Sequence, residues 1–177
     1  IPVIMGGAYA SAFPDVVMKD ANVDAVAHAE GEETFLALVK RVENKKDFSG
    51  VAGATFRDMS GRVIANPARD FIKDLDSIPF PARHLLDMSL YLEKQAGPYA
   101  MRAPSSTIIT SRGCPNACAY CTIKFVWGSR RWMGRSAVNV VNEMELLYKR
   151  YGVREFQIMD DSAGTSKVRL QEICREI

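Results

Sequence analysis

Three of the four cysteines fall within eight residues, in the run Cys114-Pro-Asn-Ala-Cys118-Ala-Tyr-Cys121. Thiolates this close in a cysteine-poor chain read as metal ligands. Structural zinc takes four protein ligands in a closed tetrahedron. No fourth ligand is at hand, since the only two histidines, His28 and His84, lie well upstream. An iron–sulfur cluster tolerates the gap. Three thiolates on a four-iron, four-sulfur cluster leave one iron open, able to bind a small molecule while the cluster carries an electron. An aromatic side chain, Tyr120, directly precedes the last cysteine. A zinc knuckle, a cysteine pair with a stray third, and a cluster that only passes electrons are the alternative readings.

The elements that must position these thiols can be read around them. Ser106-Thr107-Ile108-Ile109-Thr110 is β-branched and predicts a strand, with Arg112-Gly113-Cys114 immediately after it. The metal therefore belongs at the C-terminal end of a strand, where active sites of parallel barrels lie. The loop runs on through Trp127, Arg130, Arg131 and Trp132 to Arg135. Ser136 is a fitting N-cap for a helix whose apolar residues are Val138, Val141, Met144, Leu147, Tyr148 and Tyr151, with Gly152 ending it. Val153 to Asp160 predicts the next strand, and Leu170, Ile173, Cys174 and Ile177 mark the buried stripe of a last helix. On this pattern Cys174 is a core residue. Asp160 ends its strand on the face of Phe156 and Ile158, predicted to point inward. Its carboxylate suits either a hydrogen bond to a bound ligand or an N-cap. Lys124, Arg130, Arg131 and Arg135 with Trp127 and Trp132 read as a solvated loop whose tryptophans pack inward.

Upstream, residues 1 to 48 alternate strand and helix. Val3-Ile-Met5 ends at Gly6-Gly7, a helix is expected from Phe13 to Lys19, and Asp24 to His28 is a second short strand. Glu30-Gly31-Glu32 then opens a helix carrying Phe35, Leu36, Leu38, Val39 and Val42. Strand, glycine turn and helix in series predict a parallel α/β sheet. Such sheets bind ligands outside the carboxyl ends of their strands, where Gly6, Gly7, Glu30, Gly31 and Glu32 fall. His28 reads as a core histidine satisfied by one hydrogen bond. Residues 50–56 and 62–65 flank Met59-Ser60-Gly61 and predict a hairpin. A connector with Pro79, Pro81 and Pro98 follows, with His84 as a surface or packing residue.

Cys114, Cys118, Tyr120 and Cys121 together resemble the cluster motif of the radical S-adenosylmethionine (SAM) enzymes. The resemblance implies that the open iron chelates the amino and carboxylate groups of SAM, that reductive cleavage yields a 5′-deoxyadenosyl radical, and that Tyr120 lies near the adenine. Many of those enzymes place Gly-Gly-Glu where this chain has Asp160-Asp161-Ser162, a form similar to the cobalamin-dependent subgroup. Residues 1 to 90 resemble the end of the cobalamin-binding domain found ahead of many radical-SAM barrels, in Val3-Ile-Met-Gly6-Gly7, Ala29-Glu30-Gly31-Glu32 and Leu75-Asp76-Ser77-Ile78-Pro79-Phe80-Pro81. That implies roles for Gly6, Gly7, Glu30, Gly31 and Glu32 beside the cobalamin nucleotide tail, and for Asp160 beside SAM. The expected fold is α/β. It comprises the C-terminal part of a Rossmann-like cobalamin-binding domain (1–72), a linker (73–104) and the start of a radical-SAM partial (βα)6 TIM-like barrel (105–177), as a fragment of a longer polypeptide.

The resemblance implies an enzyme that cleaves SAM with a 4Fe-4S cluster, cobalamin-dependent and methylating an unactivated centre. A radical cyclase or methylthiotransferase is the alternative within the superfamily, and a non-catalytic Fe–S module the alternative outside it. A small-molecule substrate and a one-electron reductant such as flavodoxin or ferredoxin are the partners implied. The charge of +2 is too small to argue for nucleic acid. No apolar run reaches the ~20 residues of a membrane span. Free thiols laid out for a metal fit a reducing cytoplasm.

Overall fold

The computed structural model describes residues 1–92 and 100–177. Pro98 of the predicted connector lies outside the described residues. In chain order the elements are β1 (Ile4–Met5), α1 (Ala8–Ala12), α2 (Pro14–Val17), β2 (Ala25–Ala27), α3 (Gly31–Glu43), β3 (Ala54–Arg57), β4 (Val63–Ala65), α4 (Ser89–Leu92), β5 (Ser105–Ile108), β6 (Ser111–Arg112), α5 (Ile123–Val126), β7 (Met133–Gly134), α6 (Ala137–Tyr151), β8 (Glu155–Ile158) and α7 (Lys167–Glu176). They fall into two compact units. One is Ile1–Lys73 with Asn116–Arg130, the other Asp74–Pro115 with Arg131–Ile177. Among the described residues no helix is long and apolar enough to cross a membrane.

The first unit carries a sheet in the order β1-β2-β3-β4. β1 pairs with β2 in parallel, as a strand–helix–strand crossover requires. β3 then folds back antiparallel on β2, and β4 antiparallel on β3. The sheet is thus mixed rather than parallel, because the predicted hairpin docks on β2 instead of standing apart. All three residues of β2 are buried, and period two sorts them. Ala25 and Ala27 pack with Leu38, Phe48 and Phe56 on one side, while Val26 packs with Ala10, Val17, Met18 and Val23 on the other.

Two helical expectations need correction in this unit. The helix expected from Phe13 to Lys19 is the shorter α2, and an unexpected helix, α1, precedes it; the two are separated at Phe13, which has φ −132° and ψ 54°. Pro14 follows it, and the proline ring disfavours helical backbone in the residue before. On α3 the apolar residues do not share one buried face. Leu38 is fully buried, but Phe35 and Leu36 are about half exposed and Val42 is exposed as well. The inward partner of Leu38 is Thr34, whose hydroxyl donates to the Ala52 carbonyl (3.2 Å) and accepts from Arg69 Nε (2.9 Å).

In the second unit β5 and β8 pair in parallel, Ser105 opposite Glu155 through Ile108 opposite Ile158, with α6 between them in sequence. Ser136 caps α6 as predicted, its Oγ accepting from the Asn139 N–H (3.1 Å). Gly152 ends it in left-handed backbone, φ 70°. The buried face of α6 is Val140, Glu143, Met144 and Leu147, one step round from the predicted stripe, and Val138 and Tyr148 are exposed. Val140 and Met144 meet Ile108, Ile173 and Phe156, so Phe156 faces the helices rather than inward. On α7 only Ile173 of the predicted stripe is fully buried. Leu170 is half-buried, and Cys174 and Ile177 are exposed, which overturns the core assignment of Cys174.

The step round on α6 brings a carboxylate inside. Glu143 is 1% exposed and bonds Arg83 Nη2 (2.7 Å) and Arg135 Nη1 (2.5 Å). Arg135 also donates to Asn139 Oδ1 (2.7 Å) and to the Ile109 carbonyl (2.8 Å). Two cations share one buried anion, so removing the anion strands both. Glu143→Ala is expected to destabilise the fold by roughly 3–5 kcal/mol, read as a lower urea midpoint; an unchanged midpoint would contradict this account of the pair.

The hairpin turn carries a second electrostatic device. The Asp58 carboxylate accepts from Ser60 Oγ (2.6 Å), the Ser60 N–H (2.8 Å) and the Arg62 N–H (2.9 Å). These bonds, the Ser60 hydroxyl foremost, hold its pKa down at about 2 against an ordinary 3.8. A depressed carboxyl stabilises the fold fully above its ordinary pKa and ceases to do so as pH falls through the folded value. An NMR pH titration is expected to place the Asp58 carboxyl well below the exposed aspartates, with the Ser60 and Arg62 amides shifting at the same midpoint.

Candidate functional site

The cysteine run begins where β6 ends. β6 pairs antiparallel with β7, Ser111 opposite Gly134 and Arg112 opposite Met133, so a two-stranded ribbon closes the base of residues 113–132. Neither this ribbon nor the short α5 was expected; the run read as one continuous loop. Gly113 has φ +79°, and a Cβ built on it would lie 1.9 Å from the Arg131 carbonyl oxygen. Only glycine fits there, which gives the Gly113-Cys114 pair a steric reason.

All three cysteines are free thiols: Cys114 and Cys121 are half-buried and Cys118 is exposed. The Cys121 N–H donates to the Cys118 carbonyl (3.2 Å), a turn that puts these two ligand candidates on one short bend. The ends of segment Asn116–Arg130 are joined by the Arg130 guanidinium, which donates to the Asn116 carbonyl. Tyr120 is 90% exposed, its ring uncommitted to any core. Among the described residues no group of three or more His, Cys, Asp or Glu side chains is gathered to hold a metal ion. The fit to a cluster therefore rests on the donors themselves. They are three unbridged, accessible thiols, the soft ligands that iron–sulfur clusters take.

Asp160 and Asp161 follow β8, and their carboxylates turn onto the segment leading to Cys114. Asp160 accepts from the Thr110 N–H, the Thr110 hydroxyl and the Ser111 hydroxyl, each at 2.6 Å. It caps no helix; Ser166 caps α7 through its Oγ. Asp161 Oδ2 accepts from the Gly113 N–H (2.9 Å). From α7, Arg169 donates to the Thr110 carbonyl (2.5 Å) and the Arg135 carbonyl (2.6 Å). Burial lowers the pKa of Arg169 while the Asp160 charge opposes that shift. Sequence reasoning missed Arg169 altogether, since a charged residue inside a short helix reads as surface. The patch residues Trp132 and Arg135 are likewise engaged. Trp132 Nε1 donates to the Ser162 carbonyl (3.0 Å), and Arg169 stands over its ring.

In the first unit, the parallel pairing of β1 and β2 brings Gly6-Gly7 and the Glu30-Gly31-Glu32 turn to one edge of the sheet. Ser11 Oγ on α1 accepts from the Ala29 N–H (2.9 Å), tying the two turns together. Gly7 has φ +89°, with nothing within 4 Å of where a Cβ would stand, and the Cβ position of Gly31 is equally open. The Glu30 carboxylate accepts from the Ile72 N–H (2.8 Å), while Glu32 is exposed. His28, half-buried at the same edge, bonds Thr55 Oγ1 through Nε2 (2.8 Å) and is also hydrogen-bonded to the Ser11 backbone. Partial burial lowers its pKa.

No family model matches the chain. It is 34% identical over 176 residues to an uncharacterized methyltransferase of Pyrococcus horikoshii, covering 99% of this chain and 36% of that protein. It is 33% identical over 193 residues to the cytidylyl-2-hydroxyethylphosphonate methyltransferase of Streptomyces wedmorensis, covering 97% of this chain and 36% of that protein. The anaerobic magnesium-protoporphyrin IX monomethyl ester cyclase of Synechocystis is 30% identical over 178 residues, with 99% of this chain and 33% of that protein covered. This chain thus spans about a third of the length of these relatives. Among solved structures, the radical SAM methyltransferase TsrM of Kitasatospora setae, with cobalamin and a [4Fe-4S] cluster bound, superposes with a TM-score of 0.70 at 20% identity, covering 99% of this chain and 33% of that one. The cobalamin-dependent radical enzyme OxsB, with aqua-cobalamin bound, gives 0.73 at 22% identity, covering 97% and 23%. In sequence the chain is similar to these methyltransferases and cyclases, and its mixed α/β fold is similar to those of the radical SAM methyltransferase TsrM and the cobalamin-dependent radical enzyme OxsB.

Proposed function

We propose that the chain is the junction of a cobalamin-binding domain and a radical-SAM domain, in an enzyme that cleaves SAM reductively and methylates an unactivated centre. Residues 1–72 are the end of the first domain, 73–104 the linker, and 105–177 the start of a partial (βα)6 barrel. The observation that carries the reading is the set of free thiols at Cys114, Cys118 and Cys121, which follow β6 shortly after the first strand of a parallel β-α-β unit. Cofactors found in the fold neighbours, and methyltransferase names among the sequence relatives, support it.

In this reading Cys114, Cys118 and Cys121 hold the 4Fe-4S cluster, and the exposed ring of Tyr120 stacks beside the adenine of SAM. When bound, the cluster supplies an electron to SAM and cobalamin supplies a transferable methyl group. Gly6 and Gly7 let the backbone approach the cobalamin tail closely, since a side chain at Gly7 would be strained. Gly31 opens α3 beside them, and Glu30 and Glu32 frame the turn. The electron comes from a one-electron reductant such as flavodoxin or ferredoxin, and the substrate is a small molecule. Accessible thiols of this kind suit a reducing cytoplasm.

The cyclase relatives favour one second reading, in which the same cluster and SAM chemistry closes a ring instead of transferring a methyl group. Products separate the two. A methylated product with SAM-derived label supports methyl transfer, and unlabelled ring closure supports cyclisation. In either case, Cys118→Ala in the anaerobically reconstituted full-length protein is expected to lose cluster iron and abolish 5′-deoxyadenosine formation. Retained cleavage by that variant would sink the assignment of the run.

A further inference from the structure

The backbone that delivers Cys114 is gripped by groups that the proposed chemistry leaves unused. Thr110 and Ser111 are 0% and 1% exposed. Asp160 holds them from the end of β8 and Arg169 holds the Thr110 carbonyl from α7. Those contacts join elements of the fold. The contact of Asp161 is different in kind, because Asp161 is exposed, lies beyond the strand, and reaches the N–H of the residue before Cys114. A carboxylate on a backbone N–H makes a charge-assisted bond, roughly twice as strong as a neutral one. On its other side Gly113 has no slack, since the Arg131 carbonyl occupies the space of a Cβ. Gly113 is therefore fixed from both sides, and the chain leaves it toward Cys114 in one direction.

We propose that Asp161 is a positioning residue for Cys114: by holding the Gly113 N–H it sets where the Cys114 thiolate meets the cluster, and so how the open iron is presented to SAM. This rests on the radical-SAM reading above. Groups that orient a metal ligand from outside the ligand set commonly change affinity or activity by roughly 10–100-fold when removed. Asp161 acts on the ligand's backbone and itself touches neither cluster nor SAM.

The test uses the full-length protein reconstituted without oxygen, with thermal midpoint, iron content, the electron paramagnetic resonance spectrum of the reduced cluster with and without SAM, and 5′-deoxyadenosine rate as readouts. Asp161→Ala is expected to keep its midpoint and iron content but to show an altered cluster spectrum, a weakened response to SAM and cleavage slower by roughly 10–100-fold. Asp161→Asn, whose amide oxygen still accepts from Gly113, is expected to restore most of all three. A parent-like spectrum and rate in Asp161→Ala overturns the proposal. Should Asp161→Ala fail to fold, Asp161→Glu takes its place: a shifted spectrum in folded protein supports the role, and a parent-like spectrum or loss of folding overturns it. A parent protein that forms no cluster fails the functional reading first. A parent that cleaves SAM, beside an unaffected Asp161→Ala, sinks the positioning role alone.

Discussion

The second unit depends on one carboxylate. Asp160 takes three hydrogen bonds from Thr110 and Ser111, two buried residues that follow β5, and so ties the chain beyond β5 to the chain beyond β8, just ahead of the cysteine run. Parallel strands have no hairpin to hold their ends in register. A short pair such as this one, four residues a side, gains a lock from side chains instead. Because buried hydroxyls and amides are costly when unpaired, the tie is also the satisfaction of Thr110 and Ser111. Asp161 and Arg169 extend the same lock, one toward Gly113 and one to the Thr110 carbonyl.

The helix layer behind those strands uses the opposite solution, a buried anion shared by two guanidinium groups. Glu143 organises Arg83 and Arg135, and Arg135 reaches on to the Ile109 carbonyl between β5 and β6. The strand ends that carry the candidate cluster loop are thus fixed by polar networks rather than by apolar packing alone. In the first unit the logic is plainer. Alternation along Ala25-Val26-Ala27 feeds two small cores, and the parallel β1–β2 pair leaves two glycine-bearing turns at one edge.

Much of this was legible in the chain. The Ser136 cap, the Gly152 stop and the hairpin around Gly61 are local signals, and each acts where it is written. What could not be read arises from tertiary pairing. The hairpin's docking on β2 made the sheet mixed. The rotation of α6 by one position exchanged Val138 and Tyr148 for Val140 and Glu143, because a charge becomes a core residue once two arginines meet it. Cys174 looked apolar by period yet faces outward, since Ile173 alone fills the space against Ile108 and Val140. Asp160 was read as inward by alternation, but it lies past the strand, where hydrogen-bond partners and not the pleat decide its direction.

The most direct test of the central claim is Mössbauer and electron paramagnetic resonance spectroscopy of the full-length protein, reconstituted anaerobically with iron and sulfide, before and after adding SAM. A three-thiolate cluster predicts a [4Fe-4S] spectrum in which one iron becomes distinct when SAM binds, with 5′-deoxyadenosine released on reduction. A colourless protein carrying zinc on these cysteines, or a cluster whose spectrum SAM leaves unchanged, would contradict the account.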